Sequence, residues 1–81
     1  MKEIEEILAM NIPDSEKLAR TFEWITNRVV EDSQREVELL RALGDPQLLV
    51  KEQVKLSTIQ HARSIFNQCY CMVTGKAAWD G

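Results

Sequence analysis

The sequence predicts an all-α fold, a short N-terminal helix followed by a long antiparallel helical hairpin. Three observations carry this. Only five of the 81 residues are Gly or Pro, namely Pro13, Gly44, Pro46, Gly75 and Gly81, whereas a β-sandwich or barrel needs turn residues every ~8–12 positions. The interior four bound two uninterrupted stretches of near-equal length. Within those stretches apolar residues recur at three- and four-residue spacing, the helical period. At 44% hydrophobic and 28% charged, the chain reads as one domain over 1–81, too apolar for disorder and too short for two cores.

The first helix is expected over 1–11. Ile4, Ile7 and Leu8 share a face, and Glu3, Glu5 and Glu6 fill the first turn, where the helix dipole favours anions. So short a helix holds in water only if it docks on something. Pro13 stops it by disfavouring helical geometry at Ile12. The second helix spans 14–43, with Asp14 or Ser15 as cap and an apolar stripe through Leu18, Phe22, Ile25, Val29, Val37, Leu40 and Leu43. Glu16 with Arg20 and Glu31 with Arg35 are i,i+4 pairs of favourable polarity. The stripe falters at Asp32, Ser33 and Glu36, and Ser33 with Glu36 spells a capping box, so a break near Ser33 is the alternative to one continuous helix. No residue there forces a turn, which favours continuity. Gly44-Asp45-Pro46 then combines a left-handed terminator, an N-cap and a first-turn proline. A connection this short makes the flanking helices antiparallel neighbours. The third helix spans 46–74, Gly75 ends it, and 75–81 is a tail.

Two helices of nearly thirty residues are ~43 Å long, against ~30 Å for a small globule. On a helical wheel the third helix spreads apolar residues over roughly 200°, twice the stripe of an ordinary surface helix. Arg63 is the only formal charge between Leu56 and Gly75. Residues 1–44 carry ten acids and six bases and residues 45–81 three acids and four bases. That partition casts the first half as outer wall and the second as buried seam. The expectation is a homo-oligomer with the third helix central, Ile59, Ala62, Phe66, Cys69 and Val73 in its seam, and the first helix covering an end or groove. The alternative is a monomer in which the second helix breaks and wraps around the third.

Composition excludes several functions. A net charge of −3 argues against nonspecific nucleic-acid binding. The acidic N-terminus reads as neither secretory signal nor transit peptide, and Gln60, His61, Arg63, Asn67 and Gln68 interrupt the most membrane-like window. A cytoplasmic protein is expected. Cys69 and Cys71 diverge by roughly 200° on a helix, so they neither bridge nor share a metal, and both read as reduced thiols, one facing the core. With His61 the only histidine there is no zinc set. No catalytic residue, P-loop, glycine-rich cradle or nucleophile elbow is present, and neither metal nor cofactor nor enzymatic activity is expected.

Three features invite a functional reading. Arg20, Trp24 and Arg28 stand at i, i+4 and i+8 opposite the apolar stripe, where a tryptophan between two arginines can anchor a protein partner; the plainer reading is a tryptophan covered by arginine stems. Arg63, inside the apolar arc near Tyr70, must reach an anion, a carbonyl or the edge of a seam. Trp79 in the tail either folds back onto the bundle, against the first helix, or anchors another protein; folding back is favoured. Together these point to a non-enzymatic interaction module, an adaptor, inhibitor or assembly factor, bound to itself and to another protein. In size and helix order the chain also resembles small phage proteins that sequester cyclic nucleotide signals, although no motif carries a residue across. The second reading, to which that resemblance adds, is an oligomer holding an anionic nucleotide at subunit boundaries through Arg63 and other basic or aromatic groups.

Overall fold

The fold is carried by three helices, α1 (Lys2–Ala9), α2 (Asp14–Leu43) and α3 (Pro46–Thr74), in a computed structural model that describes residues 2–79. There is no strand among the described residues. α2 runs through Ser33 without interruption, so its Ser33/Glu36 pair caps nothing. α1 ends at Ala9, two residues short of the expected 11.

The helix boundaries follow from local chemistry. Gly44 sits at φ 71°, and its amide donates to the carbonyls of Leu40 and Arg41 while that of Asp45 donates to Leu40, so two of the last four carbonyls of α2 are satisfied. The Asp45 carboxylate accepts from the Leu48 amide at 3.1 Å, and Pro46 occupies the first turn of α3. Gly75, at φ 74°, closes α3 with its amide on the Cys71 carbonyl. The start of α2 departs from the expected cap. Pro13 is the N-cap residue and no side chain caps the helix; its carbonyl takes the amides of Glu16 and Lys17. Asp14 and Ser15 are already helical, too late to serve.

α2 is the middle layer. α3 packs on one side of it and α1 on the other, with no α1 contact to α3 among the described residues. The molecule therefore measures 48 × 29 × 15 Å with a radius of gyration of 15.5 Å, against ~12 Å for a compact chain of this length. α1 lies along the back of α2, held by Lys17 Nζ donating to the Leu8 carbonyl at 2.8 Å. Within one chain the burial falls on the charged first half: Ala19, Thr26, Ser33, Val37 and Leu40 are buried on α2, and only Tyr70 on α3. α2 has neighbours on both sides, whereas α3 has one helix and the tail.

The contact line on α2 keeps Val37 and Leu40 of the expected stripe, with Phe22 and Val29 half-buried beside it, but passes one residue beyond Leu18 and Ile25, which are exposed. Ala19, Thr26, Ser33 and Leu40 recur every seven residues and face α3, the spacing of two helices packed at a shallow angle. Thr26 returns its hydroxyl to the Phe22 carbonyl at 2.7 Å, which lets a polar residue lie buried. On α3 the facing residues step by three and four through Leu49, Glu52, Leu56, Ile59, Arg63, Phe66 and Tyr70, all half-buried or buried. Ser33, 1% exposed, donates to Glu52 Oε1 at 2.7 Å and ties the middle of the hairpin. Away from the turn, aromatic rings take over: Phe22 and Phe66 stack at 4.4 Å between centroids, and Phe66 and Tyr70 at 6.3 Å.

Candidate functional site

Three surfaces carry the side chains that could act. The first lies where the tail returns. The Ala78 amide donates to Asn67 Oδ1 at 2.8 Å, which brings the chain back along one flank of the hairpin. Trp79 then stacks on Phe66 at 5.3 Å and on Phe22 at 6.0 Å. Trp79 is thus folded back, onto α2 and α3 and not onto α1, because the Phe22–Phe66 pair offers the flat apolar platform that α1 lacks. Arg63 is half-buried with its guanidinium carbon 5.6 Å above the Trp79 ring, a cation–π placement. Gln60, Ser64 and Asn67 complete a cleft of about 360 Å³ around this pair. Tyr70 does not join it: its ring is buried against Phe66.

The second surface is the back of α2, where Arg20, Trp24 and Arg28 stand. They do not form one sandwich. Arg28 lies 5.0 Å above the Trp24 ring, whereas Arg20 turns away, its guanidinium 3.9 Å from the Met10 sulfur. Trp24 is half-buried, and the groove beside it is lined by Glu3 of α1 as well as Asn27, Arg28 and Glu31. Nor does either expected i,i+4 ion pair form among the described residues. Arg35 meets Asp32 at 2.8 Å, with both side chains largely exposed, so the bond adds little to stability.

The third surface is the flank of the hairpin opposite the tail. A groove of about 190 Å³ runs there between Leu18 on α2 and Phe66, Cys69 and Val73 on α3. Leu18 is 59% exposed, Ile25 49% and Val73 84%, and Ile65 and Met72 are exposed close by. The five expected seam residues therefore divide. Ile59 and Phe66 face α2 inside the hairpin, Ala62 is half-buried, and Cys69 and Val73 stand on this open margin. Cys69 and Cys71 are both exposed and in no disulfide; the expectation that one faces the core fails because nothing among the described residues covers the margin where Cys69 lies.

Sequence reasoning missed the Ser33–Glu52 bond and the buried Ala19 and Thr26. Their signal was the seven-residue recurrence of small side chains, which a search for Leu, Ile and Val passes over. Among the described residues no cluster of His, Cys, Asp and Glu is placed to hold a metal, and no helix is long and apolar enough to cross a membrane. No family model matches the sequence, and neither a curated protein nor a solved structure matches it. Fold and surfaces together define a helical-hairpin protein with one flank closed by its own tail and the other left apolar and open.

Proposed function

We propose that the protein is a non-enzymatic interaction module that works as a homo-oligomer. One observation carries this reading: the uncovered apolar margin through Leu18, Ile25, Cys69 and Val73, on a molecule only 15 Å thick. A contiguous apolar strip of this kind marks an association surface. The second protein partner is taken by the back of α2, where Trp24 under Arg28 supplies an aromatic anchor with an apolar face and a charged rim. Light scattering at micromolar concentration is expected to return a multiple of the 9.3 kDa chain mass. A mass of one chain overturns the reading.

The Arg63–Trp79 cleft supports a second reading, capture of an anionic nucleotide. A guanidinium poised over an indole can pair with phosphate while the ring system stacks on a base. Under this reading a panel of mono- and cyclic nucleotides raises the melting temperature through linkage, and Arg63→Ala abolishes the gain. No shift with any member of the panel removes it.

A further inference from the structure

The open margin carries charge as well as apolar surface, and the two are arranged by level along the hairpin. At ~100° per residue, Leu18, Ile25 and Glu36 of α2 fall on the flank turned away from the tail, as do Lys51, Lys55, Cys69 and Val73 of α3. Asp32 stands at the edge where that flank meets the back of α2. All eight are exposed. The Ser33–Glu52 bond and the Phe22–Phe66 stack fix the antiparallel register. That register sets Leu18 and Ile25 level with the stretch from Ala62 to Val73, and the two acids level with the two lysines. One end of the margin is thus apolar on both helices. Its middle is acidic on α2 and basic on α3. These charges do not satisfy one another across the groove: the ion pairs among the described residues are Arg35–Asp32 and Lys55–Glu52, each within one helix.

We infer that a second copy of the chain covers this margin, related by a dyad parallel to the helices, so that α2 of each copy lies on α3 of the other. This rests on the homo-oligomer reading and adds the surface and the arrangement. Rotation about such an axis keeps every level in place while exchanging α2 for α3. Apolar end then meets apolar end, the acids of one copy meet the lysines of the other, and the four long helices form a bundle in which each runs antiparallel to its neighbours. A dyad across the helices is disfavoured by the same residues. It lays α2 on its own copy head to tail, which sets Asp32 and Glu36 against the same acids or slides them onto the apolar end.

The test is a charge exchange on the full chain, read by light scattering and native mass spectrometry. Asp32→Lys/Glu36→Lys and, separately, Lys51→Glu/Lys55→Glu each place like charges across the interface and are expected to weaken self-association at least about tenfold. Mixing the two variants one to one restores the wild-type oligomer, because each pairing is again opposite in sign. Helical circular dichroism checks that the variants fold, and Lys51→Glu alone, which leaves the Lys55–Glu52 pair intact, stands in if the double variant does not. A monomeric wild type overturns this inference together with the homo-oligomer reading. An oligomeric wild type whose variants associate as well as it does, or whose mixture stays dissociated, overturns the inference and leaves that reading standing.

Discussion

Phe66→Ala is expected to cost about 2–4 kcal/mol of unfolding free energy and to free Trp79 from the hairpin. The ring of Phe66 is the centre of the aromatic cluster, 4.4 Å from Phe22, 5.3 Å from Trp79 and 6.3 Å from Tyr70. Truncating a fully buried phenylalanine costs about 3–5 kcal/mol, and Phe66 is only half-buried, which lowers the figure. Lost stacking, at about 0.5–1.5 kcal/mol per pair, raises it again. For a domain of this size, with roughly 4–12 kcal/mol in total, that is a large share of stability. The urea midpoint followed by circular dichroism measures it. In a Trp24→Phe background, which leaves Trp79 as the only tryptophan, its emission should shift to the red in native buffer. An unmoved midpoint would show that the cluster does not hold the hairpin's open end together.

How much of this was legible in the sequence depended on whether the cause was local. Gly44, Asp45 and Pro46 announce a turn because a left-handed glycine, a carboxylate cap and a fixed proline φ act within a few residues of themselves. The face on which α2 meets α3 has no such local cause. Counting apolar residues selects Val37 and Leu40, which are buried, but also Leu18, Ile25 and Leu43, which are exposed; Ala19 and Thr26 lie buried one residue past Leu18 and Ile25, and Ser33 lies buried where the stripe falters. Close approach of two helices selects small side chains at the contact line, and hydrophobicity does not reveal which apolar flank is thereby left over. Trp79 is a similar case. An aromatic residue in a short tail signals docking, but its seat was created by Phe22 and Phe66 coming together from 44 residues apart. Arg63 was flagged by its isolation among apolar neighbours, and the ring it covers belongs to that same returning tail.

Ser33→Leu is expected to be the most damaging single change in the middle of the hairpin, at about 3–5 kcal/mol, and its partner changes separate the two reasons why. Ser33 is 1% exposed at the line where α2 and α3 touch, so three added carbons must push the helices apart or leave their rotamer minima, which costs typically 1–3 kcal/mol. The change also deletes the donor to Glu52 Oε1 at 2.7 Å, a bond to a charged group worth about 1.5–3 kcal/mol. Ser33→Ala isolates the second term, since it removes the hydroxyl without adding volume. The Glu52 carboxylate, its side chain 16% exposed, then keeps only Lys55 at 3.6 Å. A cost of about 1.5–3 kcal/mol follows, chiefly from leaving a shielded charge short of a partner. Replacing the acid as well, in Ser33→Ala/Glu52→Leu, exchanges that polar pair for apolar contact beside Leu49 and Leu56, and the double variant should regain wild-type stability or exceed it. Urea midpoints for the four proteins decide the matter. If the double variant is no more stable than Ser33→Ala, the Ser33–Glu52 bond holds the hairpin together by its own strength, and not merely by satisfying a carboxylate that the fold has already enclosed.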